Sequence, residues 1–262
     1  MSQKQVSIII LCFNREKLII ESLNSVLQRT YSNWECIVVD EGYTNGSFEL
    51  AKMYANCVLL QSHIKSLYPS RNLGIKNEKG YYKILVDSNI IVPNNFLSTG
   101  IHQLEMNNSD FGAPMIKIEI DEKSTPRELL DSLIYADIKN NNVPEGCIFT
   151  KNNFFERFGY FDENLRSNGD TVLSRKATIQ GAKLSILDKL KVLFPPKDMN
   201  ELIKKARRIG KGNRNVWIKN GKSVIWITAK SIWGLRPLSY NKFRSIVNKR
   251  RESNIKYPVF KL

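Results

Sequence analysis

The chain has 262 residues, 42% hydrophobic and 25% charged, an ordinary make-up for a globular protein with a sizeable core. No window reaches the roughly 18 uninterrupted apolar residues of a membrane-spanning helix. The start shows no signal-peptide pattern, so the expected location is cytoplasmic. The net charge of +15 sits at one end: residues 1–196 carry 22 Lys/Arg against 22 Asp/Glu, and residues 197–262 carry 18 against 3. This break, just after Phe194-Pro195-Pro196, divides the chain into an expected main domain over 1–196 and a basic, mostly helical extension over 197–262.

In chain order, residues 6–13 form a near-continuous apolar run, as expected of a buried parallel strand. Leu18, Ile19, Leu23, Val26 and Leu27 then recur at helical spacing. Residues 34–40 predict a second strand ending in Asp40, and residues 58–60 a short third. Strand, helix, strand, helix, strand implies a right-handed parallel sheet flanked by helices, a Rossmann-like half. Residues 70–75 read as a helix. The stretch Tyr81-Tyr82-Lys83-Ile84-Leu85-Val86-Asp87-Ser88-Asn89 reads as a central strand delivering Asp87 to the carboxyl edge, where open α/β sheets bind ligands. A helix is expected over 93–106, with Pro93 in its first turn, then strands over 111–120 and 146–150. Gly169-Asp170 opens a further helix that Gly181 stops, and residues 183–187 close the domain as an edge strand.

Cys12, Cys36, Cys57 and Cys147 form no Cys-x-x-Cys pair, and His63 and His102 stand far apart, so no His/Cys metal site is expected. Cys12 and Cys36 fall within strands and read as small buried hydrophobes. A carboxylate at a strand end can bind a divalent cation that bridges a diphosphate. An Asp at a helix start is most often a cap, but it can also act as a general base.

The ordered set SIIILCFNRE, WECIVVDEG, SRNLGI, KGYYKILVDSN, FGYFDENL and GDTVLSRKATIQG resembles glycosyltransferase family 2 over about residues 6–187. The stretch LIKKARRIGKG is similar to the basic helix that follows the catalytic domain in many members. The resemblance implies an α/β GT-A fold and transfer of a sugar from a nucleotide diphosphate sugar, a UDP-sugar foremost, to a glycan or lipid-linked acceptor. It implies inversion at the anomeric carbon. By position, Cys12, Phe13, Asp40, Arg71, Asp87 and Ser88 fall to the nucleotide sugar, Asp87 and Asn89 to Mn²⁺ or Mg²⁺, and Asp170 to the catalytic base. Three motifs depart from the family pattern. Asp40 is followed by Glu41, the second metal carboxylate is Asn89, and the acid usually preceding the base is Gly169. The alternative reading is a GT-A-fold binding or scaffolding pseudoenzyme.

In the extension, basic residues interleave with Trp226 and Trp233. That pattern suits an anionic bilayer surface, and with it a peripheral position at the inner membrane face. Packing of the extension on the main domain is the other reading. No nucleic-acid-reading motif is present, which disfavours nucleic acid as a partner.

Overall fold

The computed structural model describes residues 4–12, 16–27, 31–40, 57–61, 67–118, 146–165, 167–195, 199–219 and 221–234. The chain divides into two compact units, Met1–Lys117 with Ile138–Pro195, and Ile118–Asp137 with Pro196–Leu262.

The first unit is built on strands β1 (Val6–Cys12), β2 (Trp34–Asp40), β3 (Cys57–Gln61), β4 (Tyr82–Asp87), β5 (Phe111–Ile118), β6 (Cys147–Thr150) and β7 (Leu184–Phe194). They form a seven-stranded sheet in the order β3-β2-β1-β4-β6-β5-β7. The β3-β2-β1-β4 half is parallel, and β6 pairs antiparallel with both β4 and β5. Every residue of β1 is buried, as are Cys36 to Asp40 of β2. That explains why these strands are apolar runs and not alternating patterns: both faces are covered. The helices are α1 (Glu16–Leu27), α2 (Leu67–Lys76), α3 (Phe96–Met106), α4 (Phe154–Phe158) and α5 (Gly169–Ile179).

Two expectations need correction. Helix α3 starts at Phe96, not Pro93. Ile91 is held extended by an antiparallel bridge to Leu193, and the Val92 N–H donates to Ser25 Oγ at 3.2 Å. Pro93 therefore lies in a turn whose carbonyl accepts from the Phe96 N–H at 2.9 Å. Strand β7 runs on to Phe194, well past residue 187, because its later residues bridge Ile91 and bury Leu190, Val192 and Phe194.

An aromatic cluster of Phe111, Phe154, Phe155, Phe158 and Phe161 fills the core beneath α4, with neighbouring ring centroids 4.9–6.2 Å apart. Each such ring contributes roughly 1.5–3 kcal/mol through burial. Helix α2 is unusual. Tyr68, Pro69, Ser70, Arg71, Asn72, Gly74 and Ile75 are all buried, so it has no solvent face in its middle. Its approach to the sheet is set by Gly74, where a Cβ would lie 2.5 Å from Ile9 Cγ2 and 3.1 Å from Val39 Cγ2.

The second unit contains helices α6 (Met199–Lys219) and α7 (Val224–Gly234), with Trp217 and Trp226 packed edge to face at 5.5 Å. Among the described residues, no helix is long and apolar enough to cross a membrane.

Gly74→Ala is expected to destabilise the fold by about 1–3 kcal/mol, because overpacking forces α2 off the sheet. Chemical denaturation measures this, and a variant as stable as the natural chain would show that α2 does not press on Ile9.

Candidate functional site

Three strands end in register at the carboxyl edge of the sheet. Cys12 pairs with Asp40 across β1 and β2, and Leu11 pairs with Asp87 across β1 and β4. Cys12, Asp40, Asp87 and Ser88 are thus brought together at one edge. Cys12, Asp40 and Ser88 are buried, and the Asp87 side chain is 31% exposed. After Asp87 the chain turns at once: the Ile90 N–H donates to the Asp87 carbonyl at 3.0 Å, which places half-buried Asn89 in the turn. Phe13 and Glu41 lie outside the described residues.

Arg71 comes to the same place from α2. It is 1% exposed, and its Nη2 donates to Asp87 Oδ1 at 2.9 Å while its Nη1 donates to Asp170 Oδ1. Asp170 stands in the first turn of α5 and is also buried. One guanidinium therefore joins the strand-end carboxylate to the helix-start carboxylate. Burial works against the charge on Arg71, but Asp170 and then Asp87 outweigh it, so its proton affinity lies above the ordinary arginine value.

The other side of Asp87 is shaped by Gly146. That residue has φ +102°, and a Cβ there would lie 3.1 Å from Asp87 Oδ2 and 2.9 Å from the Phe194 ring. Glycine is needed at Gly146 both for its backbone and because a side chain there would press on Asp87 and Phe194. The Asp87 N–H donates to the Gly146 carbonyl at 2.8 Å, which fixes that approach. Next to it, the Cys147 thiol is pushed well above its ordinary pKa by burial first and by Asp87 second, with Arg71 opposing.

Asn72 holds the segment before α5. Its Nδ2 donates to the Phe161 carbonyl at 3.0 Å and to Glu163 Oε1 at 2.8 Å, and its Oδ1 accepts from the Phe161 N–H at 3.1 Å. Tyr68 reaches α5 itself, accepting from the Gly169 N–H at 2.7 Å. The resemblance places Arg71 near the Asp87 carboxylate, but sequence reasoning missed that the same guanidinium also holds Asp170. It missed Tyr68, Asn72 and Gly146 altogether. Buried polar residues in SRN, within a helix lacking an apolar stripe, were the one local signal.

No group of three or more His, Cys, Asp or Glu side chains that could hold a metal occurs among the described residues.

A parallel half-sheet continued by antiparallel strands, with carboxylates gathered at the strand ends, defines the GT-A-like class of nucleotide-sugar folds. The glycosyl transferase family 2 profile matches residues 7–165, more than half of the chain, and the protein belongs to that family. The glycosyltransferase AglE of Haloferax volcanii is 27% identical over 240 residues, covering 87% of this chain and 79% of its own. Among solved structures, the mannosyltransferase PcManGT from Pyrobaculum calidifontis, in complex with GDP-Man and Mn²⁺, superposes with a TM-score of 0.67 at 16% identity. That match covers 97% of this chain and 77% of the other. Residues 1–349 of Staphylococcus aureus TarS in complex with UDP-GlcNAc give 0.61 at 20% identity, covering 74% of this chain. This chain spans 59% of that TarS chain, under two thirds of its length. These relatives do not favour the scaffolding alternative.

Arg71→Met is expected to destabilise the protein by about 3–5 kcal/mol, since it leaves two carboxylates without their buried partner. Adding Asp170→Asn should recover part of that loss. Denaturant titration of the single and double variants checks this; strictly additive costs would show that the two groups do not interact.

Proposed function

We propose that this protein transfers a sugar from a nucleotide diphosphate sugar to a glycan or lipid-linked hydroxyl, inverting the anomeric carbon. One observation carries the reading. Arg71 holds a strand-end carboxylate, suited to the donor, and a helix-start carboxylate, suited to the acceptor, on one guanidinium.

In this reading Asp40, with Cys12 beside it, flanks the nucleoside at the ends of β1 and β2, and Phe13 is assigned to the same nucleoside by its place in the family pattern. Asp87, Ser88 and Asn89 face the diphosphate. The donor set there is hard oxygen: a carboxylate, an amide carbonyl and a hydroxyl. A cation held by one or two carboxylates completes its shell from substrate phosphates and water, so a cage of three acids is not required. Asp87 and Asn89 would hold Mn²⁺ or Mg²⁺, which supplies charge neutralisation of the leaving diphosphate.

Asp170 is the base. Its contact with the Arg71 guanidinium fixes where that carboxylate stands. The acceptor oxygen forms its bond to the anomeric carbon as its proton passes to Asp170. The bond from that carbon to the diphosphate oxygen breaks, and the electron pair leaves with the nucleotide. Attack opposite the leaving group gives inversion.

A UDP-sugar is the first donor to test, since TarS is described in complex with UDP-GlcNAc; GDP-Man, described with PcManGT, is the second. Asp170→Asn is expected to lower turnover by roughly 10²–10⁴-fold with donor binding kept, as for loss of a general base. Asp87→Ala is expected to lose donor binding and any response to Mn²⁺. Calorimetric titration with UDP- and GDP-sugars, with and without Mn²⁺, together with a transfer assay, reads both. Failure of every donor to bind would refute the proposal.

The segment from residue 197 onward we read as a basic extension that rests on an anionic bilayer surface, with the main domain ending at residue 196. Val224, Ile225 and Trp226 are exposed on α7, and Lys222 Nζ lies 5.4 Å from the Trp226 ring centroid. On α6, Lys204, Arg207, Arg208, Lys211 and Arg214 are exposed. Apolar tips flanked by cations suit the interface of an acidic membrane, the inner face of a cell membrane among them. Sedimentation with vesicles containing phosphatidylglycerol should show salt-sensitive binding that Ile225→Asp with Trp226→Ala weakens at least tenfold. Equal binding to neutral vesicles would overturn it.

A further inference from the structure

Helix α5 carries Asp170 but lacks the usual capping device. Its N-cap residue, Asn168, has left-handed backbone (φ 63°, ψ 15°) and makes no side-chain cap hydrogen bond. Helix N-termini leave backbone N–H groups unmatched, and these need a partner when buried. Here the first of them, Gly169 N–H, donates to the Tyr68 hydroxyl at 2.7 Å, from a residue 101 positions earlier. The Tyr68 ring is 1% exposed and stacks on Phe161 at 5.6 Å. It also lies against the α-carbon of Gly169: a Cβ there would be 2.3 Å from Tyr68 Cε1 and 2.4 Å from Cζ. No side chain fits at Gly169 while Tyr68 keeps its place.

Tyr68 and Arg71 stand at i and i+3 on α2, so they share one face of that helix. They grip consecutive residues of α5: Tyr68 takes the backbone of Gly169, and Arg71 takes the carboxylate of Asp170. Two attachments on adjacent residues fix both the axial position and the rotation of the first turn. A carboxylate that must reach a substrate hydroxyl depends on that placement, since an error of about 1 Å can cost roughly 100-fold in rate.

We propose that Tyr68 is a positioning residue for Asp170, its ring and hydroxyl doing from α2 what a side chain at position 169 would otherwise do within α5. This rests on the proposed role of Asp170 as base. It gives a physical account of Gly169: the position is glycine because an aromatic ring from another helix occupies its side-chain space.

The test uses the full chain, with transfer measured well below the melting temperature and with UDP and GDP affinity measured separately. Tyr68→Phe keeps the ring and removes the acceptor of the Gly169 N–H. The expected result is a kcat lowered roughly 10- to 100-fold, with nucleotide affinity within twofold of the natural chain. A purely structural role would lower the melting temperature and leave kcat alone at that distance from melting. Gly169→Glu in the natural background is expected to lose turnover at least tenfold; in a Tyr68→Ala background the same change is expected to raise turnover at least threefold. Opposite signs in the two backgrounds support the proposal. Unchanged kcat in Tyr68→Phe, or equal losses from Gly169→Glu in both backgrounds, overturns it while the transferase reading stands. A natural chain that transfers from no donor overturns the reading on which it rests.

Discussion

The first unit depends on a single cation buried between two anions. Taking the Arg71 guanidinium out of water is costly, and the paired carboxylates of Asp87 and Asp170 offset that cost. The pairing also has a structural consequence. Asp87 ends the central strand and Asp170 starts a helix 83 positions later in the chain, so the ion set fastens the sheet edge to α5 through α2. Removing Arg71 leaves two carboxylates without their shared counter-charge, whereas removing either acid leaves a one-to-one pair. Architecture and candidate chemistry therefore rest on the same three side chains.

The charge balance of that set is uneven: one guanidinium faces two carboxylates. A site of this sign does not hold a diphosphate unaided. It suits a divalent cation carried in with the diphosphate, and such a pair needs few protein ligands because the phosphates supply oxygens themselves. In those terms an amide at Asn89 is a weaker donor than a carboxylate, but not an incompatible one.

Much of the sheet was legible because buried parallel strands leave a strong local mark. The apolar runs through Ile8-Ile9-Ile10, Ile37-Val38-Val39 and Ile84-Leu85-Val86 stop at polar or small residues where the edge lies. The ends of α3 and β7 were not legible, because they are set by a bridge between Ile91 and Leu193 that spans most of the unit. The site divided along the same line. Asp87 and Asp170 are marked by their positions at a strand end and a helix start. That both attach to Arg71, and that Tyr68 meets Gly169, are contacts across 16, 99 and 101 positions, for which no local pattern exists. The missing acid at Gly169 was visible in the sequence, whereas the ring that fills its place was not.

The two ends of the sheet show how polar groups are used differently in one fold. At the amino edge, the Gly80 N–H donates to Ser7 Oγ at 2.7 Å, and Lys83 Nζ meets Glu78 Oε1 at 3.1 Å. That cluster lies where parallel strands begin, away from the edge at which ligands bind, and each cation there has a nearby anion. Gly80 allows it to close tightly, since a Cβ would sit 2.4 Å from the Ser7 nitrogen. At the carboxyl edge Gly146 is packed as closely, with a Cβ position 2.9 Å from the Phe194 ring and 3.1 Å from Asp87 Oδ2, yet the Asp87 carboxylate remains partly exposed. The same residue type allows close packing at both ends. What separates them is exposure: Lys83 and Glu78 at the amino edge are both buried, and the Asp87 carboxylate is the member of its set that reaches solvent.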